Sequence, residues 1–369
     1  MWIPHQTWLN RYGITRDKHL IENLKSKHEI HIIQHTHPSN YNFLTFIKPK
    51  LLIDSLKDWI IFKDGLYHHH IRHLYFTRFN MIVKFNNRIF QRKIREIIKE
   101  FGIELLVCGP NYYLHGYPPF DLSIPIVFDY LDFLADFKNP NIENSKVLYN
   151  YIENSSGILC VSQALIDSIN DKYKNKTYYL PNGVDLKFFQ SFKDFEKKED
   201  LKYISLIGLS ISESLFFLDI FPEIKKYKNN IKMLLVGGGH RLPPIKNYLK
   251  KYKNYRDYIL TNYIPYEKIR EYFNMTDVGL YPTLKNHYFD SACPLKVMEY
   301  SAALKPVVST DLTELRNLNF PNVFLAKPTK KDFIEKILLA LDYKGPFPNL
   351  KEFDWKYLSG KLENIFKNI

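Results

Sequence analysis

The chain has 369 residues, more than one hydrophobic core usually supports, and its 45% hydrophobic and 25% charged residues are typical of a globular protein of two domains. A formal charge of +13 predicts attraction to an anionic partner, which can be nucleic acid, an acidic membrane surface or a phosphorylated small molecule. Three widely separated cysteines exclude a disulfide framework and a paired-cysteine zinc site, and they fit a reducing compartment.

The first half of the chain alternates strand-like and helix-like segments. The segment "DKHLIENLKSK" has apolar residues at helical spacing, and it lies among short apolar runs that end in turn residues. These runs are "WIP", "HEIHIIQH", "IELLVCGP", "IPIVFDYLD", "SGILCVS" and "KTYYLPNG". Such alternation predicts parallel βαβ units. The N-terminus has no apolar signal region and no run approaches 18 apolar residues, so we expect a cytoplasmic protein, soluble or peripheral at the membrane.

Residues 59–101 mix aromatic, histidine and cationic residues, and we predict that they are helical. Between Lys63 and Glu104, nine lysines and arginines stand against four acidic residues. The segment is either an amphipathic helical region whose solvent-exposed face is basic, or a surface that binds an anionic acceptor or membrane. Metal binding by the histidine triplet His68, His69 and His70 is not favoured, because consecutive side chains point in different directions on a helix.

A second αβ series begins after a charged stretch at residues 188–202. Its strand-like runs include "YISLIGLS", "IKMLLVGGGH" and "KPVVST", and a last helical segment, "FDWKYLSGKLENIFKNI", follows. We therefore predict domains at 1–192 and 193–345, with residues 346–369 as a terminal helix. Ligands of such folds bind at the carboxyl ends of the strands.

Three glycines close one of these strands in "VGGGH", at Gly237, Gly238 and Gly239, before His240. Glycines there let backbone amides approach a phosphate, and the next helix N-terminus adds positive potential. A tight strand-to-helix turn explains the same glycines equally well. The pattern is neither a dinucleotide fingerprint nor a P-loop.

The segment "SACPLKVMEY", Ser291 to Tyr300, carries the stronger signal. Pro294 suits a helix start, which directs free amides from Ser291, Ala292, Cys293 and Leu295 towards a ligand. Lys296 in the first helical turn opposes the helix dipole, which indicates an anionic partner such as a diphosphate. Glu299 one turn later needs hydrogen-bond donors, and either ribose hydroxyls or a neighbouring lysine can supply them.

Taken in order, "SGILCVSQALIDSI…KTYYLPNGVDLKFF", "MLLVGGG", "TDVGLYPT" and "SACPLKVMEYSAALKPVVST" resemble the GT-B glycosyltransferases, particularly the retaining family 4 group. The resemblance implies two Rossmann-like domains facing each other across a cleft, the second of which holds a nucleotide sugar. It also implies that the terminal helix crosses back to the first domain. In the family, a glutamate matching Glu299 holds the ribose, and another glutamate contacts the sugar.

The chain departs from the family pattern at two places. Ser291, preceded by Asp290, occupies the position of the sugar-contacting glutamate, so the amides of Ala292 and Cys293 are the alternative contacts. The arginine and lysine that the family carries after the first donor-domain strand are absent from "IGLSISESL". We expect Lys296 to replace them, with help from His240, Arg241 or Lys285.

The first domain offers further candidates for catalysis and binding. Asp129 and Asp132 flank the end of a predicted strand, where either is a candidate base or acceptor-orienting group, although capping of the next segment explains them equally well. His115 is the third catalytic candidate. Gly13 in the first loop lets an acceptor or diphosphate approach closely.

The expected activity is transfer of a sugar from UDP or GDP to a hydroxyl of a glycan or lipid-linked glycan, in polysaccharide biosynthesis or glycosylation. Retention of configuration is implied by the resemblance alone. The chain lacks an Asp-x-Asp metal motif of the other glycosyltransferase fold, so we expect neither a metal nor a cofactor. Rival hypotheses are a degenerate scaffold that binds a membrane or nucleic acid, nucleic acid being the less expected, and a sugar-nucleotide epimerase.

Overall fold

The computed structural model describes residues 1–4, 15–34, 55–74, 79–109, 118–131, 142–191, 200–239, 242–250 and 255–369. The chain divides into two compact units. Unit 1 contains Met1–Pro181 and Trp355–Ile369, and unit 2 contains Asn182–Asp354. The division after Pro181 lies about ten residues before the boundary predicted from the charged stretch, because the chain leaves unit 1 directly after the last strand of its sheet.

Unit 1 is built on an eight-stranded sheet of order β3-β4-β2-β1-β5-β6-β7-β8. Its strands are β1 (Trp2–Ile3), β2 (His31–Gln34), β3 (Trp59–Lys63), β4 (Leu66–His70), β5 (Leu106–Cys108), β6 (Ile126–Tyr130), β7 (Gly157–Cys160) and β8 (Thr177–Tyr179). Every pairing is parallel except β3 with β4. Strands β2 and β5 to β7 are buried throughout, as expected for a sheet covered on both faces.

The helices of this part of unit 1 are α1 (Arg16–Leu24), α2 (Asn80–Phe101), α3 (Ile142–Asn154) and α4 (Gln163–Ser168), with a 3₁₀ helix at Asp171–Lys176. The longest, α2, ends at Gly102, whose left-handed φ of 61° lets its amide donate to Ile98 O. Ser162 caps α4 by accepting from the Leu165 amide.

The helical prediction for residues 59–101 is right for α2 and wrong for 59–70. There the chain forms the antiparallel hairpin of β3 and β4. The turn residues Asp64 and Gly65 have φ of 54° and 79°, which suits the primed turns that join twisted strands. Because side chains alternate along β4, His69 points away from its neighbours and lies against His31 of β2, with 2.8 Å between Nε2 and Nδ1.

Unit 2 is a six-stranded parallel sheet of order β11-β10-β9-β12-β13-β14. The strands are β9 (Lys202–Ile207), β10 (Ile231–Val236), β11 (Tyr258–Leu260), β12 (Val278–Tyr281), β13 (Val307–Thr310) and β14 (Val323–Ala326). The helices are α5 (Leu186–Gln190), α6 (Ile211–Tyr227), α7 (Leu242–Leu249), α8 (Tyr266–Met275), α9 (His287–Asp290), α10 (Leu295–Ala302), α11 (Thr313–Leu318) and α12 (Lys330–Leu341), with 3₁₀ helices at Tyr255–Asp257 and Lys351–Phe353. Alternating strands and helices with parallel pairing confirm the predicted α/β class.

The last helix, α13 (Trp355–Lys367), belongs to unit 1. It packs on α1, where the rings of Trp355 and His19 stack with centroids 4.9 Å apart. Lys27 forms a 2.7 Å ion pair with Glu363. Leu358 and Leu362 are buried, and each such side chain stabilises the unit by roughly 1.5–3 kcal/mol. Within the described ranges, no helix has both the length and the apolar character needed to cross a bilayer.

Candidate functional site

The strand order of unit 2 indicates where a ligand would bind. Its chain starts at β9, adds β10 and β11 on one side, and then returns to add β12, β13 and β14 on the other side. The order therefore reverses between β9 and β12, and ligands of open α/β sheets bind beyond the carboxyl ends of strands at such a point. The segments that follow these ends begin at Gly208 and Pro282.

Helix α10 is anchored beside this point by Tyr300. The Tyr300 hydroxyl donates to Ser205 O and accepts from the Ile207 amide, both at 3.1 Å. Its ring covers Gly279 of β12, where a β-carbon would lie 2.5 Å from the ring. Burial raises the pKa of Tyr300, which keeps its hydroxyl a donor. One aromatic side chain thus ties α10 to both strands of the switch point.

The Lys296 side chain extends from α10 to the carboxyl end of β9. A β-carbon at Gly208 would lie 3.2 Å from Lys296 Cε, and Gly208 also has a left-handed φ of 87°. The ammonium lies 5.9 Å from the centroid of the Phe273 ring. Lys296 therefore brings a cation to the segment after the first strand of unit 2, where the sequence lacks the family's arginine and lysine. Gly208, which sequence reasoning overlooked, leaves the room for it.

Glu299 lies one turn after Lys296 and accepts from its ammonium at 2.6 Å. The glutamate side chain is 11% exposed and the lysine side chain 33% exposed. Pairing with a neighbouring lysine, one of the two arrangements considered from the sequence, is thus the observed one. The ribose contact stays a prediction. Burial and the Glu299 charge raise the pKa of Tyr266, so this hydroxyl near the pair remains protonated.

The amino end of α10 begins at Pro294, and no described side chain caps it. The first amides of a helix lack partners within the helix and carry positive potential. This end of α10 therefore adds positive partial charge beside the ion pair of Lys296 and Glu299.

The loop before α10 is braced by its own hydrogen bonds. Ser291 Oγ donates to His287 O at 2.8 Å, and the Ala292 amide donates to Phe289 O at 3.3 Å. Cys293 O accepts from Asn182 Nδ2 at 2.7 Å. A sugar that used the Ala292 amide would have to replace its bond within the turn. Donor contacts from Ser291, Ala292, Cys293 and Leu295 stay predictions.

Asp290, which precedes the altered family position, is already engaged. Its carboxylate accepts from the Thr313 amide at 2.9 Å and from the Thr313 hydroxyl at 2.7 Å. It thereby satisfies the amino end of α11 rather than pointing to a ligand.

Two of the three glycines after β10 are required by packing. A β-carbon at Gly237 would lie 2.8 Å from Leu209 Cγ, and one at Gly238 would lie 2.4 Å from the Tyr263 amide nitrogen. Gly239, with φ of 82°, faces open space. The tight-turn explanation accounts for the first two, and Gly239 keeps the access that a phosphate would need.

Asp129, a catalytic candidate of unit 1, is fully buried in β6. Both carboxylate oxygens accept from Arg16, with Arg16 Nε at 3.0 Å from Oδ2 and Nη2 at 3.1 Å from Oδ1. Arg16 also donates to Leu180 O and Pro181 O at 2.9 and 2.7 Å. A substrate proton would have to displace this pair, so a base role for Asp129 stays an untested prediction. Sequence reasoning missed Arg16, the second residue of the "TRDKHL" segment.

Several predicted positions lie outside the described residues: Gly13, His115, Asp132, His240 and Arg241. Lys285, proposed as a helper of Lys296, is exposed after β12 and donates to Asp311 O at 2.9 Å. Within the described part of the chain, no three His, Cys, Asp or Glu side chains are arranged to hold a metal ion.

Parts of the chain are similar in sequence to known proteins. Residues 204–342 match the family model of glycosyl transferases group 1, a span that contains the switch point and α10. A Bacillus subtilis (strain 168) protein, TuaH, assigned to teichuronic acid biosynthesis as a glycosyltransferase, is 24% identical over 199 residues. That alignment covers 52% of this chain and 49% of TuaH, so the chain matches about half the length of that curated relative.

Two solved structures share the fold of the whole chain. Sucrose-phosphate synthase from Thermosynechococcus elongatus aligns with a TM-score of 0.69 at 12% identity, covering 100% of this chain and 98% of that one. A trehalose-6-phosphate structure from E. coli bound with UDP-2-fluoro glucose aligns with a TM-score of 0.64 at 11% identity, covering 100% and 95%. The chain therefore has the GT-B fold, and its residues 204–342 are similar to the group 1 glycosyl transferases.

Proposed function

We propose that this protein transfers a sugar from a nucleoside diphosphate sugar to a hydroxyl of a glycan or lipid-linked glycan. The observation that carries the proposal is the Lys296 ammonium beside Gly208, at the carboxyl end of β9. A glycosyltransferase needs positive charge there because the leaving diphosphate gains negative charge as the glycosidic bond breaks. A positioned cation at such a group is worth about 10²–10³-fold in rate.

The pair of Lys296 and Glu299 supports a simple order of events. Before the donor binds, Glu299 holds the ammonium 2.6 Å away and fixes its direction. A diphosphate then attracts Lys296, which frees one carboxylate oxygen of Glu299 to accept from ribose hydroxyls. The amino end of α10 adds positive potential for the same phosphates. Binding thus exchanges one set of partners for another and leaves no buried charge unpaired.

The finer parts of the proposal have separate support. A UDP donor is supported by the fold shared with the structure bound to UDP-2-fluoro glucose, and GDP is the alternative. A polysaccharide-type acceptor is supported by similarity to TuaH. Retention rests on the resemblance in sequence. Metal independence rests on the missing Asp-x-Asp motif, with Lys296 supplying the charge that a metal supplies elsewhere. The basic segment from Lys63 supports a cytoplasmic enzyme peripheral to an anionic membrane.

The alternative proposal is a degenerate scaffold that binds a membrane or nucleic acid without catalysis. The missing arginine and lysine after β9 favour it, since a donor diphosphate would lack the cations that the family usually provides. So does Ser291, whose hydroxyl is bonded within its own turn.

Nucleotide release from a panel of UDP and GDP sugars tests the proposal. We expect slow release from one donor, and about a 100-fold loss in Lys296→Ala and in Glu299→Ala. The control is Lys330→Ala, which removes a surface lysine of unit 2 that pairs with Asp219. Absence of release and of any thermal shift by nucleotides would favour the alternative. Release of a sugar whose configuration differs from that of the donor sugar would indicate an epimerase.

A further inference from the structure

Helix α2 carries large apolar side chains on the face opposite the one that packs into the core of unit 1. Its buried residues are Asn86, Phe90, Ile94 and Ile97. On the other side, Met81 is 81% exposed and Phe85 is 48% exposed. Exposed large apolar side chains that share one helix face indicate a partner that is itself apolar.

The same face is strongly basic. Lys84, Arg88 and Arg92 follow at spacings of one helical turn, between and beside the two apolar residues. The whole of α2 has six lysines and arginines against two glutamates. Among the described residues, no carboxylate lies within ion-pair distance of Lys84 or Arg88, whereas Arg92 pairs with Glu96 at 3.1 Å. Excess positive charge here needs an anionic partner.

A cavity of about 520 Å³ lies beside this face. Arg88 and Arg92 line it together with Arg72, which follows β4. Arg72 is only loosely paired, with 3.9 Å between its Nε and Asp58. The apolar part of the lining comes from Leu56, Leu74, Phe85 and Ile89. Three guanidinium groups around an apolar floor match a phosphate attached to hydrocarbon, because the planar guanidinium binds phosphate with two hydrogen bonds.

We propose that this arginine face, defined by Arg72, Met81, Lys84, Phe85, Arg88 and Arg92, docks on a bilayer that contains anionic lipids. Met81 and Phe85 enter the boundary between headgroups and acyl chains, while the cations bind lipid phosphates. A nucleic acid would satisfy the charge but would offer no hydrocarbon to Met81. The docking deepens the proposed function and rests on its lipid-linked acceptor, which the bilayer would present.

Sedimentation of the full chain with lipid vesicles tests this docking without any sugar donor. We expect binding to vesicles that contain phosphatidylglycerol, weaker binding at high salt, and little binding to phosphatidylcholine alone. Arg88→Gln and Arg92→Gln should each weaken binding about five-fold, because each cation near an anionic surface contributes on the order of 1 kcal/mol. Met81→Ser should weaken binding to the same vesicles by removing its inserted side chain.

Matched controls separate this face from overall charge and apolarity. Lys330→Gln removes a surface cation of unit 2 that is not part of this face, so little change is expected. Leu339→Ser removes a side chain that is 53% exposed in unit 2. Equal losses in the controls, retained binding when Arg88→Gln and Arg92→Gln are combined, or preference for RNA over vesicles would overturn the proposal. Donor turnover should be unchanged in all these variants, so failure here leaves the transfer chemistry standing.

Discussion

Each unit places one carboxylate from the list of candidate site residues in an ion pair, and these two pairs are built differently. Asp129 and Arg16 of unit 1 are 0% and 4% exposed, and they join residues 113 positions apart through two hydrogen bonds. Glu299 and Lys296 of unit 2 are 11% and 33% exposed, and they are three residues apart on one helix. The first pair connects α1 to β6, whereas the second connects α10 only to itself.

This difference indicates what each pair can do. A fully buried pair must stay intact, because removing either partner leaves a charge without water. A partly exposed pair within one helix contributes little to folding, because solvent screens it and it links no distant elements. Lys296 and Glu299 can therefore exchange partners at small cost, which is what a binding site for an anion requires.

The largest effect is expected from breaking the buried pair. Asp129→Ala should lower the free energy of unfolding by about 3–5 kcal/mol, because Arg16 would keep its charge in the core without a counterion. Urea unfolding measures the change. Asp171→Ala, which removes a carboxylate from the surface pair with Lys174, should leave stability unchanged. If Asp129→Ala kept wild-type stability but lost transfer, the catalytic prediction for this residue would gain support instead.

An intermediate effect is expected where α10 is attached to the sheet. Tyr300→Phe removes the donor to Ser205 O and the acceptor of the Ile207 amide, which costs about 1–3 kcal/mol. Because Tyr300 fixes the helix that carries Lys296, donor turnover should fall as well. Thermal unfolding and nucleotide release are both measured for this variant. The control is Tyr357→Phe, which removes the hydroxyl of a tyrosine that is 52% exposed. Unchanged turnover would mean that α10 keeps its place without this bond.

The smallest effect on folding is expected in the second pair. Glu299→Gln should change the free energy of unfolding by less than about 1 kcal/mol, since its partner lysine is half-buried and can turn to water. The same variant should lose the thermal shift produced by the donor's nucleotide. Loss of several kcal/mol of stability would contradict the view that this pair is built for exchange.

The α/β fold could be predicted because strands buried on both faces appear as short apolar runs between helical segments. The hairpin of β3 and β4 was missed although Asp64-Gly65 stands between its two runs, a strong signal for a primed turn. The histidines obscured the alternation on β4, because all three are buried although polar, on a strand that lies between β3 and β2 in the sheet.

The site was predictable in part. Lys296 was identified because a cation in a first helical turn opposes the helix dipole. Its contact with Gly208 joins residues 88 positions apart in the sequence, so only the tertiary structure shows that the side chain reaches the end of β9. Arg16 was missed for the same reason, since nothing in the local sequence connects it to Asp129.

Unit 1 is interrupted by unit 2 and completed by residues 355–369. The two ends of the inserted unit are adjacent, since the Val184 amide donates to Phe353 O at 2.8 Å. Residues 1–181 are synthesised well before α13, so until residues 355–369 are made unit 1 lacks its last helix and the contact surface for Trp355 on α1 stays open. Maturation of unit 1 therefore waits for the last helix to emerge, and a nascent chain stalled before residue 355 would be a substrate for chaperones and proteases.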